Sequence, residues 1–391
     1  MHMTDLSLPR KEFSRRQDRL RIALAESGLS GAVVFHPVRI TYLTGFAFYP
    51  TERPIALILP TDADPIMVVP VLEEQHFISQ VPEMRVHAYP EYPGREHPMM
   101  QVGKLVAARG HGQGTWGSDC EGYIDLNGYQ GPTLSNVLQH ETAQISDMID
   151  RARMVKSPAE QDILREAGRL AARAHRLLQE SLAVGSVERT ICRQTEEATL
   201  ADAADMGQGD TWGYLSVIAS ILSGTRTGMP HAATGMRKIL AGDGVVTICE
   251  AIAGGYHTEL ERTLFMGQPS DSQRRYYEIA REAQQIALAM LRPGTSCTEI
   301  DEKVSTWFTN QGCAEFVLHH QGHGLGLEGH ERPFLDIGDG TILEAGMVLS
   351  VEPGLYVPGI GGFRNSDTVL VGEHGVETLT AYPHELADLI V

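Results

Sequence analysis

The chain has 391 residues, 42% of them apolar and 21% charged. That is ordinary globular composition, which excludes collagenous, coiled-coil and disordered classes and suits two domains. A formal charge of −18 repels a phosphate backbone and argues against a nucleic-acid partner.

Residues 10–27 carry Leu20, Ile22 and Leu24, with Gly28 as a stop, and predict a helix. The apolar runs 31–35, 54–60 and 65–71 predict buried strands of an α/β layer. They are strand-length, and no stretch reaches the roughly 18 apolar residues of a membrane span. The first residues are charged and carry no apolar leader core. Five scattered cysteines without a CxxC pair suit reduced thiols, so a cytoplasmic chain with no membrane partner is expected.

Composition shifts near residue 145. Ser157-Pro158-Ala159-Glu160 then reads as a helix start: serine accepts the N3 amide, proline fits N1, and glutamate reaches back to complete a capping box. The helix is predicted to run to about residue 182. The boundary falls just before it, giving an α/β domain over 1–150 and a second domain over 151–391. In the second, 245–249, 264–266, 348–351 and 368–371 predict strands, and 276–291 and 299–310 predict helices. An α+β domain around an antiparallel sheet fits that order.

Residues able to do chemistry gather in the second half. They lie in 249–263 (CEAIAGGYHTELERT), 322–331 (GHGLGLEGHE), 350–354 (SVEPG) and 364–367 (RNSD), with His231 apart in Met229-Pro230-His231. Gly324-x-Gly326-x-x-Gly329 matches the dinucleotide fingerprint formally, but His330-Glu331-Arg332-Pro333 follows where that motif needs a continuing helix.

In order and wording these segments resemble the pita-bread hydrolases: creatinase, prolidase, aminopeptidase P and methionine aminopeptidase. Tyr42-Leu43-Thr44-Gly45-Phe46 is similar to the amino-terminal domain of the creatinase and prolidase branch, and 153–160 to the linker into the catalytic domain. The resemblance implies a carboxyl-terminal pita-bread domain, a smaller amino-terminal α/β domain and a homodimer. In the family's metallopeptidases two aspartates, a histidine and two glutamates hold two divalent ions. By resemblance these fall on Glu250, Glu259, His323, Glu352 and Ser366. A neutral hydroxyl is a poor bridge between two dications, and a glutamate is one methylene longer than an aspartate.

The resemblance to creatinase, which works without metal, rests on Glu261 just before Arg262-Thr263. It implies a C–N hydrolase acting without a cofactor on a small guanidino, amidine or amide substrate. His231, Glu261, His323 and Glu352 would be catalytic, and His257, His330, Arg53 and Arg364 would bind substrate. Two carboxylates suit a planar cation because each can pair with it through two oxygens. The alternative is an Xaa-Pro dipeptidase with Mn²⁺, Zn²⁺ or Fe²⁺ on Glu250, Glu259, His323 and Glu352, one ion being possible on the last three. A further alternative is a non-catalytic pita-bread module that only binds.

Overall fold

The computed structural model describes residues 6–108, 114–123, 129–203 and 215–391. The chain divides into two compact units, one over Leu8–Arg153 and one over Met154–Val391, which also takes in Leu6 and Ser7.

In the first unit a six-stranded sheet runs in the order β4-β3-β2-β1-β5-β6. The strands are β1 (Gly31–Val34), β2 (Ala56–Pro60), β3 (Ile66–Pro70), β4 (Arg85–Tyr89), β5 (Gly117–Ser118) and β6 (Ala143–Gln144). Strands β1, β2 and β3 are buried at every residue, which is why they read as unbroken apolar runs. The helix Pro37–Thr44 ends at Gly45, whose φ of +78° suits glycine and whose missing Cβ leaves room for the Phe13 ring. Arg39 makes a two-pronged pair with Asp150 at 2.9 and 2.8 Å.

The second unit is an eight-stranded antiparallel sheet in the order β11-β10-β12-β15-β9-β8-β7, with β16 paired to β15. Its strands are β7 (Ser216–Ser223), β8 (Gly244–Ala253), β9 (Tyr256–Phe265), β10 (Gly322–Gly324), β11 (Glu331–Phe334), β12 (Val348–Val351), β15 (Ser366–Val371) and β16 (Val376–Thr378). A separate ribbon pairs β13 (Gly354–Val357) with β14 (Gly361–Arg364). The helix Pro158–Ser181 starts at the anticipated capping box and presents Ile163, Leu164, Ala167, Leu170, Ala171, Ala174 and Leu178 to the core. The helices Asp271–Met290 and Cys297–Asn310 start at capping boxes too, on Ser270 with Gln273 and on Ser296 with Glu299.

Alternation along β8 divides the unit. Val245, Cys249 and Ala251 enter the core, whereas Val246 and Ile248 face a cavity on the other side. The hairpin is longer than the apolar residues suggest, because Glu250, His257, Glu259 and Glu261 sit on strands although their polarity masks the strand pattern. Arg262 is fully buried behind this face. Its guanidinium donates to Ser366 O and Asp367 Oδ1 on β15 and to the carbonyls of Tyr382 and Pro383. It thereby locks β9 to β15.

Candidate active site

The cavity measures about 320 Å³. Glu259, Glu261, Glu352, Arg364, His231 and His330 form its polar side, and Leu222, Pro230, Val246 and Ile248 its apolar side.

Three strands bring the central cluster together. His323 on β10, Glu259 on β9 and Glu352 just after β12 meet with Nε2 of His323 at 3.7 Å from Glu259 Oε1 and 3.4 Å from Glu352 Oε1. Nδ1 of His323 lies 3.0 Å from the carbonyl of Gly324, so in the neutral ring that nitrogen carries the proton and Nε2 presents its lone pair. His323 is 0% exposed, and its Nε2 has no hydrogen-bond partner. A buried nitrogen without a partner, between two carboxylates, is the donor set of a divalent cation. Without one, the group must share protons. Burial opposes a charged ring at His323, but Glu352 and Glu259 hold its pKa up at about 9. Burial pushes the Glu352 carboxyl up, and the nearby ring of His323 with the charge of Arg364 brings it down to about 2. Burial and the charge of Glu352 push Glu259 up. Among the described residues, His330 also lies close enough to share an ion with Glu259 and His323, and its ring stacks on that of His323 at 3.7 Å.

Next to this cluster a second charge pair is already closed. Arg364 Nη2 and Nε approach Glu261 Oε1 and Oε2 at 2.5 Å each, and Nη1 lies 3.9 Å from Glu352 Oε2. Burial, with the charges of Glu259 and Glu352, pushes the Glu261 carboxyl well above its ordinary range against the opposing charge of Arg364. Burial opposes the Arg364 charge too, but Glu261 raises that guanidinium. At this contact distance the guanidinium is the fixed charge of the pair.

The remaining candidates are distributed. His231 lies on the loop after the short 3-10 turn Gly224–Gly228 and borders the cavity. Glu250 and His257 do not line the cavity. They face each other across the β8–β9 hairpin, with Nδ1 of His257 at 2.5 Å from Glu250 Oε1. The β8 residue that faces the cavity opposite Glu261 is Ile248. Among the described residues Glu250, expected as an ion ligand, is in none of the groups of three ligand-type side chains that come together. Ser366 stands opposite Glu261 on the other flank and donates to Glu259 Oε1 at 3.1 Å. Arg53 belongs to the first unit, where it pairs with Glu52 and Glu91.

Sequence reasoning missed four residues. Ile248 carried no polar signal. His319 and His320 sat in the run Leu318-His319-His320-Gln321-Gly322-His323, a histidine density that could have flagged them. Tyr356 is reached by His319 Nε2 at 2.6 Å and by Arg364 Nη1 at 3.2 Å.

This architecture, with its inward-facing histidines and carboxylates, is that of the pita-bread C–N hydrolases. The sequence model of metallopeptidase family M24 matches residues 162–373, and that of the creatinase/prolidase N-terminal domain matches residues 16–155. The chain belongs to metallopeptidase family M24. It is 30% identical to the Xaa-Pro dipeptidase of Lactobacillus helveticus over 93% of this chain and 96% of that one. Among solved structures it resembles dipeptidase PepE from Mycobacterium ulcerans (29% identity, 98% and 99% coverage, TM-score 0.84). It also resembles an Xaa-Pro dipeptidase from Bacillus anthracis (26% identity, 97% and 100% coverage, TM-score 0.83).

These likenesses overturn the expectation of a metal-independent, creatinase-like amidinohydrolase, since the matched family is one of metallopeptidases and these relatives are dipeptidases. The structure supplies a physical reason. Glu261, which carried that expectation, has both oxygens engaged by Arg364 and is not free to grip a substrate cation.

Proposed function

We propose that the chain is a metal-dependent dipeptidase of the Xaa-Pro class. The observation that carries this reading is the unpartnered Nε2 of His323, buried between the carboxylates of Glu259 and Glu352. Those three residues would hold a Mn²⁺, Zn²⁺ or Fe²⁺ ion. Such an ion, when bound, acidifies water and polarises a carbonyl. His231 takes a proton from the attacking water and delivers it to the leaving nitrogen as the C–N bond breaks and the new C–O bond forms. Leu222, Pro230, Val246 and Ile248 offer an apolar wall to the proline ring, while the acidic side receives the substrate's ammonium group. A volume of about 320 Å³, at the low end for ligand pockets, suits a dipeptide rather than a long chain. The assembly proposed on family resemblance is a homodimer, which light scattering would read directly.

The test is hydrolysis of Ala-Pro and Gly-Pro against Ala-Ala, with the protein first stripped by chelator and then given Mn²⁺ or Zn²⁺. Metal-restored cleavage favouring the proline dipeptides is expected, with His231→Ala lowering kcat by about 10²–10⁴. Absence of cleavage under every metal would overturn the reading.

A further inference from the structure

Ile248, Glu261 and Ser366 occupy one rung across β8, β9 and β15, each directly opposite its neighbour. A second dication beside Glu259 would need anionic ligands from the flanks of this rung, because two dications a few ångströms apart repel unless carboxylates lie around and between them. The flanks are a hydrocarbon and a hydroxyl. The hydroxyls of Ser366 and Ser350 both donate to Oε1 of Glu259, at 3.1 and 2.5 Å, which leaves that oxygen little capacity to be shared between two ions. The rung's one carboxylate is at its centre, on Glu261, where Arg364 lies against both oxygens.

Among the described residues two further groupings of possible ligands, Glu259 with Glu261 and Glu352, and His319 with His320 and Glu352, are also engaged, the first because Arg364 lies against both oxygens of Glu261. Both ring nitrogens of His319 are in contact, Nε2 with the Tyr356 hydroxyl at 2.6 Å and Nδ1 with the His320 carbonyl at 2.7 Å. The position left is at His323, grouped with Glu259 and His330 and with Glu352 Oε1 at 3.4 Å from its Nε2.

We infer that this centre takes a single divalent ion and that Arg364, clamped by Glu261, supplies the second positive charge from within the chain. The guanidinium cannot be deprotonated in a protein and so is a permanent cation. Its remaining nitrogen reaches to 3.9 Å from Glu352, so it balances the carboxylate that also faces the ion. The two charges differ in kind: the ion is exchangeable and the guanidinium is fixed. The inference rests on the metal-dependent reading of the same site, but its test counts ions and does not measure turnover.

Chelator-stripped full-length protein is titrated with Mn²⁺ and with Zn²⁺ by calorimetry, and the Mn²⁺ form is examined by electron paramagnetic resonance. Wild type should bind one equivalent and give the six-line spectrum of an isolated Mn²⁺, and His323→Ala should lose that equivalent. Arg364→Met leaves three carboxylates without their cation and should admit a second equivalent. Two equivalents in wild type with an exchange-coupled spectrum would overturn the inference, as would no binding up to millimolar ion. A folded Arg364→Met that still binds only one would remove Arg364 from it. Should that variant fail to fold, the wild-type line shape alone decides. Cleavage of Xaa-Pro dipeptides by a protein carrying two ions would sink this inference and spare the proposed function. One bound ion without cleavage would do the reverse.

Discussion

Glu261 carries a different consequence according to whether Arg364 is its partner or its neighbour. Because the pair is buried and two-pronged, Glu261→Gln leaves a guanidinium stranded among groups that cannot neutralise it fully. Breaking a buried pair from one side costs about 3–5 kcal/mol. The expected outcome is therefore a loss of stability of that order in urea or thermal unfolding. A variant as stable as wild type would show that the pair contributes nothing. The identity of Glu261 was legible in the sequence, but its availability was not, since its partner lies 103 residues away. The same limit explains Glu250. Its side chain is of ligand type, yet only the β8–β9 register reveals that Ile248 is the residue facing the cavity opposite Glu261. His323 and Glu352 were legible because motif wording surrounds them.

At the scale of elements, starts were clearer than ends. The capping box at Ser157 was readable because three local residue types enforce it. The sequence predicts only 264–266 where strand β9 runs from Tyr256 to Phe265, because its charged side chains suppress the apolar signal on which strand recognition depends. The loop carrying His231 shows a further device. Glu188, fully buried at the first turn of the helix Glu188–Asp202, accepts from Ser223 N and Oγ and from Gly235 N, and pairs with Arg226 at 2.8 Å. One carboxylate thus grips the stretch 223–235 at both ends. Glu188→Gln keeps the volume but loses the charge and one acceptor. It should slacken this loop and lower kcat by about tenfold, with KM changed less, since small misplacements of a reacting group cost rate. Steady-state kinetics with a parallel melting curve checks this. A change confined to the melting temperature would make Glu188 purely structural.

For the whole molecule, the acidic balance coexists with ion pairs that set its tolerance of acid. In the first unit, burial pushes the Asp150 carboxyl up, but Arg39 and Arg153 overcome this and hold it below the ordinary value of 3.8. A depressed carboxyl contributes stability that is complete above its unfolded pKa and fades as pH falls through the folded one. Melting temperature should therefore fall below about pH 4, and Asp150→Asn, less stable at neutral pH, should show a flatter slope there. An unchanged slope would count against the pair. Fold class was legible at this scale because the order of elements and the apolar runs are local properties, whereas the cavity is not. Its contacts join residues 91, 103 and 107 positions apart, in Glu259–Ser350, Glu261–Arg364 and Glu259–Ser366. Pairings of that length close large loops before any contact rewards them, so they form slowly and late. The β8–β9 hairpin can zip early from neighbouring residues, but until the segment from Arg364 into β15 docks, Glu261 lacks its guanidinium partner. The sheet edge that β15 will cover is open during that interval, and the nascent molecule is then most exposed to mispairing with another chain.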